Sequence, residues 1–319
     1  MKKFLSLALA ALMLACAPLA LAACGGADDG TYSIGIVQLA EHSSLDAATE
    51  GFKAALSEKL GDKVAFDFKN AQGEQTNCTT IVSGFINQKV DLIMANATNA
   101  VKAAREATDT IPVVGTSVTD YVASGLIASN DAPGANVTGA SDNNPVTVQV
   151  ELMKTLCPSV KTVGIVYCSG EENSAVQAEE AKAAFEAAGY TVKIYTVADS
   201  NEIAPVVTQA CTEVDGFYEP SDNLIASNVP AMANITTANK KPVIAAVEEM
   251  ANDGFLATYS ISYYDLGYQA GLMAYDILVN GKDPATMPIY HFDTASLNLV
   301  INEANAAELG ITIPDSLKR

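Results

Sequence analysis

Apolar and polar positions along this chain follow two patterns, one typical of strands and one typical of helices, and the two patterns alternate repeatedly. Short apolar runs of strand length are each followed by a longer stretch in which apolar residues recur at helical spacing. In the first half, the predicted strands are 32–39, 64–69, 91–95 and 112–117, and the predicted helices are 45–60, 79–88 and 97–107. Strands separated by helices indicate a parallel sheet covered on both faces.

The same alternation starts again after residue 139. Here the predicted helices are 146–156, 173–188, 202–211 and 223–238, and the predicted strands are 162–167, 191–196, 216–218, 242–245 and 256–259. We therefore predict an α/β protein made of two doubly wound parallel-sheet lobes.

The pattern changes after residue 263, where a helix at 264–278 precedes short strands near 289–292 and 297–301 and a last helix at 304–309. A segment this short cannot bury a core of its own, so we expect it to complete the two lobes. The predicted N-terminal lobe is 32–140 with 263–295, and the C-terminal lobe is 141–262 with 296–319. Three crossings would join them, which is the arrangement of a hinge.

The first residues resemble a bacterial lipoprotein signal. Lys2 and Lys3 precede an apolar, alanine-rich run that ends in the small-residue junction before Cys24. We predict a signal peptide at 1–23, lipid attachment to Cys24 and a tether at 24–31, which would place the protein outside the cytoplasm, lipid-anchored to the bacterial cell membrane. An uncleaved anchor is the alternative.

Charge and cysteine content narrow the class of partner. The chain has 18 basic and 37 acidic residues, a formal charge of −19, and such a surface repels the phosphate backbone of nucleic acids. Cys78, Cys157, Cys168 and Cys211 remain once the leader and the lipidated cysteine are set aside. These four could form disulfides outside the cytoplasm in three possible full pairings. Cys157 and Cys211 each end a predicted helix before a strand, so we predict a possible disulfide between these two.

Motifs for catalysis are absent from the sequence. There is no nucleophile elbow, no phosphate-binding loop and no dinucleotide fingerprint. No cysteine pair or histidine cluster has metal-ligand spacing, so neither a metal nor a cofactor is predicted. We expect a protein that is not an enzyme, with general acid–base chemistry by His42 and Glu41 or Asp46 as the alternative.

The candidate site lies where the predicted strands end, because open parallel sheets bind ligands beyond the carboxyl ends of their strands. The loops at those ends are rich in hydroxyl, amide and carboxylate groups and contain no lysine or arginine. This composition favours a small zwitterion over a phosphate or polyanion. The candidate ligand-binding residues are Glu41, His42, Thr98, Ser117, Ser141, Ser169, Asn173, Ser174, Asp222, Tyr259 and Tyr263.

Within that set, hydroxyl groups suit the carboxylate of a zwitterion and acids suit its ammonium group. We expect Thr98 and Ser117 to bind the carboxylate and Asp222 to bind the ammonium, with Glu41 as the other acid. Helix caps and turns explain the same polar residues without any ligand. The two tyrosines could stack on an aromatic ring or belong to the core or hinge.

Several short motifs occur in a fixed order along the chain. They include Glu41-His42-x-x-Leu45-Asp46, Asn136-Val137-Thr138-Gly139, Val163-Gly164-Ile165-Val166-Tyr167, Pro220-Ser221-Asp222-Asn223 and Tyr263-Tyr264-x-Leu266-Gly267. Together they resemble the tryptophan/tyrosine type of ABC-transporter substrate-binding lipoproteins. The resemblance implies a type I periplasmic-binding-protein fold and capture of an aromatic amino acid (tyrosine, phenylalanine or tryptophan) for an ABC permease.

This chain departs from that family at Ser262, where relatives often have an aspartate two residues before the paired tyrosines. If that aspartate helps to bind an ammonium group in the relatives, Asp222 or Glu41 would bind it in this chain. We expect a monomer. The alternatives are a nucleoside- or sugar-binding lipoprotein on the same fold, or a surface antigen or sensor without a role in transport.

Overall fold

Two six-stranded sheets form the framework of the protein. The structure is a computed structural model that describes residues 30–318, so the predicted signal peptide and Cys24 lie outside the described residues. The first sheet contains β1 (Tyr32–Gln38), β2 (Val64–Asn70), β3 (Leu92–Asn96), β4 (Val113–Val118), β5 (Val137–Ser141) and β11 (Tyr290–His291). Its strand order is β11-β5-β4-β3-β1-β2, and every pair is parallel.

The second sheet repeats this arrangement. It contains β6 (Thr162–Cys168), β7 (Thr191–Val197), β8 (Gly216–Glu219), β9 (Val243–Ala245), β10 (Ala257–Ser260) and β12 (Asn298–Ile301). Its strand order is β12-β10-β9-β8-β6-β7, with only the edge strand β12 antiparallel to its neighbour. The predicted α/β fold with two doubly wound sheets is confirmed.

Eleven α-helices among the described residues connect and cover the strands. They are α1 (Ser43–Leu60), α2 (Gln75–Gln88), α3 (Thr98–Ala107), α4 (Val146–Leu156), α5 (Glu172–Ala187), α6 (Ser200–Cys211), α7 (Asn223–Ala226), α8 (Val229–Ala238), α9 (Glu248–Asn252), α10 (Tyr263–Asn280) and α11 (Glu303–Leu309). None of the helices within residues 30–318 combines the length and apolar character needed to cross a bilayer.

Within residues 30–318 the chain passes between the two sheets three times, after β5, after β10 and between β11 and β12. We call the first sheet with α1–α3 and α10 the N-terminal lobe, and the second sheet with α4–α9 and α11 the C-terminal lobe. Helix α10 packs so closely along α1 that a Cβ atom at Gly267 would lie 1.8 Å from the Ala48 carbonyl oxygen. This packing fixes the start of α10, and with it Tyr263.

Two helices near the second sheet differ from the sequence prediction. The helix predicted at 223–238 is two short helices, α7 and α8, because Pro230 in the first turn of α8 has no N–H to continue the α7 ladder. Helix α9, which the apolar pattern did not reveal, follows β9 and has only five residues. Helices α7 and α9 both contribute residues to the site described below.

The predicted disulfide between Cys157 and Cys211 is wrong for this structure, in which both residues are buried free thiols. Cys157 ends α4, which packs against α5, whereas Cys211 ends α6, which packs against α8. Because the right-handed crossovers from β6 to β7 and from β7 to β8 run in opposite directions along the sheet, α5 and α6 cover opposite faces. The two thiols therefore lie at the same end of the strands but on opposite faces of the sheet.

Candidate ligand-binding site

A small cavity lies between the lobes, at the carboxyl ends of the central strands of both sheets. The N-terminal lobe and the first crossing contribute the lining residues His42, Ser44, Leu45, Ser117, Asp142 and Tyr263. The C-terminal lobe contributes Asn173, Ser221, Asp222, Asn223, Ala226, Val247 and Met250. No lysine or arginine is among these residues, so the cavity carries no side-chain cation other than what His42 could supply.

Ser117 reaches the cavity because strand β4 is irregular at its end. The pairing of β4 with β5 shifts register between Gly115 and Val118, and Ser117 has no partner residue on either neighbouring strand. Its φ of 57° lies in the left-handed region, which side chains other than glycine seldom adopt. Its hydroxyl is buried without a hydrogen-bond partner. A strained backbone that aims an unpaired hydroxyl into a cavity is typical of a functional position.

Asp142 places a carboxylate at the same end of the cavity. It directly follows β5, and its side chain is buried, with the Tyr263 hydroxyl donating to Oδ2 at 2.5 Å. The other oxygen, Oδ1, is buried and has no partner. Burial raises the pKa of Asp142, while the hydrogen bond from Tyr263 acts in the opposite direction. An unpaired carboxylate oxygen in such a place is suited to an ammonium group.

The acids of the C-terminal lobe are already bound to the backbone. Asp222 caps α7 through the Ile225 N–H (2.9 Å) and also accepts the Cys168 N–H (2.7 Å). Glu171 accepts from the backbone N–H groups of Asn223 and Leu224, each at 3.1 Å. Both carboxylates hold loops in place, which is a structural task.

Burial without a cation raises the pKa of several acids around the cavity. It raises the pKa of Glu171 to about 8, with the nearby Asp222 carboxylate adding to the effect, and that of Glu249 to about 7. The pKa of Asp222 is also raised, chiefly by burial. Glu219, at the end of β8 but outside the lining, is fully buried with both carboxylate oxygens unpaired, and its pKa is raised as well. Burial therefore favours the neutral form of these acids, and a cation bound beside them would lower their pKa values again.

Four apolar side chains line the cavity beside the polar side chains of both lobes. Leu45 comes from the first turn of α1, Ala226 ends α7, and Val247 and Met250 belong to the loop after β9 and to α9. The cavity thus combines unpaired hydrogen-bonding groups, on Ser117 and Asp142 among others, with an apolar part formed by these four side chains. Ligand sites in proteins commonly have this composition.

Of the eleven residues predicted from sequence, the structure brings five together in the cavity lining, namely His42, Ser117, Asn173, Asp222 and Tyr263. Glu41 lies beside it, in a larger groove of about 630 Å³ that also includes Asn99 and Glu171.

The other five lie outside the lining. Thr98 is buried at the start of α3, and Ser169 is exposed, with its hydroxyl donating to the Val197 carbonyl (3.3 Å). The Ser141 hydroxyl donates to the Thr119 carbonyl (2.9 Å), and Ser174 is fully buried and accepts from Asn173. The Tyr259 ring packs partly buried against the core.

Sequence reasoning missed Asp142 and the apolar lining. Asp142 could have been found, because it is an acid at the first predicted crossing, one residue beyond Ser141. Val247 and Met250 carried no such signal, since an apolar residue that lines a cavity has the same pattern as one in a core. Ser44, Ser221 and Asn223 lie in loops that the prediction did include.

The lobes touch through polar contacts around the cavity. Ser43 of the N-terminal lobe donates to Asp253 of the C-terminal lobe at 2.6 Å, and Lys102 pairs with Glu172 at 2.9 Å. The cavity itself encloses only about 20 Å³, against roughly 300–1,000 Å³ for typical small-molecule sites. A ligand can therefore enter only when the lobes separate or lining side chains move. Within residues 30–318, no group of three or more His, Cys, Asp or Glu residues could hold a metal ion.

A family comparison now adds to this geometry. The family model described as ABC transporter substrate binding protein matches residues 33–319, nearly the whole of the described chain. The chain belongs to the ABC transporter substrate-binding protein family. It is therefore a solute-binding component of an ABC transporter, a class of protein that works outside the cytoplasm. The family resemblance predicted from the sequence motifs is confirmed.

Individual relatives of this substrate-binding protein have named ligands. It is 38% identical over 274 residues to a protein named tyrosine-binding protein from Clostridioides difficile strain R20291, covering 85% of this chain and 79% of the relative. It also resembles a Streptococcus pneumonia ABC domain solved in complex with L-Trp, with 39% identity, a TM-score of 0.86, and 90% of this chain and 97% of that chain covered.

A third comparison bears on the conformation. A ligand-free, open substrate-binding protein with adhesive properties from Clostridium difficile is 38% identical, with 89% of this chain and 97% of that chain covered, yet its TM-score is only 0.68. At nearly the same sequence identity, this chain therefore superposes better on the L-Trp complex than on the open, ligand-free structure.

Proposed function

We propose that this substrate-binding protein captures an aromatic amino acid between its lobes and delivers it to an ABC permease, as a monomer anchored to the cell membrane by a lipid on Cys24. The observation that carries the proposal is the composition of the cavity. An unpaired carboxylate oxygen of Asp142 and an unpaired hydroxyl of Ser117 line the cavity together with four apolar side chains, and no lysine or arginine is present.

The lining offers a matching group for each part of such a ligand. The ammonium group would bind Asp142, whose Oδ1 is free and whose Oδ2 is already held by Tyr263. The carboxylate would accept from the Ser117 hydroxyl, next to backbone that has left the β ladder. The aromatic ring would pack on Leu45, Ala226, Val247 and Met250. The tyrosine- and tryptophan-linked relatives support this choice of ligand.

The proposal changes the assignment of the ammonium group that the sequence suggested. Asp222 lines the cavity, but both of its carboxylate oxygens accept backbone N–H groups, and Glu41 is exposed in the neighbouring groove. Asp142 has the unsatisfied oxygen. Binding to a group that lacks a partner gains more free energy than binding to one that must first give up its hydrogen bonds.

A thermal-shift and calorimetry panel tests the proposal. Tyrosine, tryptophan and phenylalanine should raise the melting temperature of the purified protein. Tyramine, which lacks the carboxylate, and 3-(4-hydroxyphenyl)propionate, which lacks the ammonium group, should bind at least tenfold more weakly than tyrosine. Stabilisation by a sugar or nucleoside, with no response to any amino acid, would contradict the proposal.

A further inference from the structure

Within the proposed function, on which this inference rests, the structure points to a basis for choosing among aromatic rings. We propose that His42 recognises a hydrogen-bond donor on the ring of the ligand, the phenol O–H of tyrosine or the indole N–H of tryptophan, through its unpaired Nδ1 atom. Phenylalanine, which has no such donor, would then be the poorer ligand.

A hydrogen-bonded series across the lobes fixes the orientation of the imidazole. The Asn223 amide donates from Nδ2 to Glu171 Oε2 at 2.6 Å. Glu171 cannot turn away, because it is held by the backbone N–H groups of Asn223 and Leu224. With its NH₂ group directed at Glu171, Asn223 presents its carbonyl oxygen, Oδ1, to His42 Nε2 at 3.2 Å.

That contact determines which ring nitrogen of His42 carries the proton. A carbonyl oxygen only accepts hydrogen bonds, so Nε2 must be the N–H donor. In a neutral imidazole the other nitrogen, Nδ1, then has a lone pair and no proton. Burial lowers the pKa of His42, which keeps the neutral form in place near pH 7. The Glu171–Asn223 pair therefore selects one tautomer of His42.

The Nδ1 atom of His42 is shielded from solvent and has no hydrogen-bond partner, although His42 lines the cavity. The imidazole lies beside the apolar part, because its partner Asn223 is one turn before Ala226 in α7 and His42 directly precedes α1, which supplies Leu45. A ring packed in that part would meet a buried acceptor that lacks a donor. Such an unpaired acceptor penalises any ligand that leaves it unsatisfied.

The two histidines of the chain allow a direct test of the tautomer. Protein labelled with ¹⁵N-histidine gives only two imidazole spin systems, His42 and His291, and a His291→Gln variant assigns them. In the complex with tyrosine or phenylalanine, which holds the lobes closed, His42 should be neutral with its proton on Nε2, and Asn223→Ala should disturb that preference. Tyrosine should shift the Nδ1 resonance as an accepting nitrogen, and phenylalanine should shift it much less. A proton on Nδ1 in either complex of the unaltered protein would overturn the inference.

Calorimetry with matched ligands tests the selectivity. The unaltered protein should bind tyrosine at least tenfold more tightly than phenylalanine, and tryptophan at least tenfold more tightly than 1-methyltryptophan. In His42→Leu the tyrosine-to-phenylalanine ratio should fall below about threefold, with phenylalanine binding retained. His291→Gln is the control and should keep the full ratio.

The possible outcomes separate this inference from the proposed function. If His42→Leu weakens all three aromatic amino acids equally, Nδ1 contacts the shared amino-acid group, and the inference is wrong while the proposed function stands. A tyrosine-to-phenylalanine ratio near one in the unaltered protein has the same consequence. If no aromatic amino acid binds, the proposed function fails, and the inference fails with it. Should His42→Leu not fold, the spectrum of the unaltered protein with each ligand still decides.

Discussion

The two walls of the cavity differ in how much hydrogen-bonding capacity they leave free. On the side of the N-terminal lobe and first crossing, Ser117 Oγ, His42 Nδ1 and Asp142 Oδ1 are all buried without partners. On the side of the C-terminal lobe, Asp222 in the lining and Glu171 in the neighbouring groove are each saturated by backbone N–H groups, and the unpaired Glu219 lies outside the lining. The first wall therefore has free groups for a ligand, whereas the carboxylates of the second are used to hold its own loops.

This difference suggests an order of events. A ligand that enters open lobes would bind first to the wall with unpaired groups, and the rigid C-terminal wall would then close over it. Closure adds contacts between lobes, such as Ser43 with Asp253 and Lys102 with Glu172. Surface pairs of this kind contribute only about 0–1 kcal/mol each. The ligand, bonded to both walls, must therefore supply most of the bias toward the closed arrangement.

The largest expected effect comes from removing the charge on the binding wall. Asp142→Asn keeps the shape of the side chain but takes away the partner of the ligand ammonium, and we expect amino-acid affinity to fall on the order of 100-fold. Calorimetry with tyrosine measures the change. Asp265→Asn, an exposed carboxyl in the first turn of α10, is the control and should bind normally. Equal affinity for both variants would show that Asp142 does not bind the ammonium group.

A smaller loss of affinity is expected at Ser117, accompanied by a gain in stability. Ser117→Gly removes the unpaired hydroxyl and also relieves the left-handed backbone at φ 57°, where glycine is unstrained. Affinity should fall about tenfold while the melting temperature stays equal or rises. Ser169→Ala, which alters an exposed serine outside the lining, should change neither. A Ser117→Gly protein that binds tyrosine normally would remove this hydroxyl from the site.

The contrasting variant on the other wall should affect stability more than binding. Asp222→Asn places an amide NH₂ against one of the two backbone N–H groups that the carboxylate now accepts. We expect unfolding free energy to fall by about 1–3 kcal/mol, with tyrosine affinity changed less than threefold. Chemical denaturation and calorimetry on the same sample measure both. A large loss of affinity with unchanged stability would reverse the roles assigned to the two walls.

The sequence predicted the framework well because alternation of apolar strands and amphipathic helices is a local signal. It also predicted Ser117 and Asp222 as residues at strand ends. It did not reveal long-range contacts. One carboxylate oxygen of Asp222 accepts the N–H of the distant Cys168, which no local pattern indicates. Ser141 was predicted in place of Asp142, and consecutive residues at a strand end point in opposite directions.

A pH dependence of stability is also expected to originate on the C-terminal wall. The pKa of Glu171 is about 8 in the folded protein against an ordinary 4.5, so the folded state keeps a proton that the unfolded state releases over that range. The stabilisation from this group is complete below about pH 4.5 and is lost as pH rises through about 8. The free energy of unfolding of the ligand-free protein should therefore decline over this interval.

Glu171→Gln should reduce the slope of that decline, because the replacement cannot ionise, whereas Glu179→Gln, an exposed change on the same helix, should leave the slope unaltered. Denaturant titrations at several pH values between 5 and 8.5 measure the effect. Asp142 on the other wall also has a raised pKa, so some slope should persist in Glu171→Gln. A slope identical to that of the unaltered protein would mean that Glu171 is ionised throughout, held so by its three N–H donors from Asn223 and Leu224.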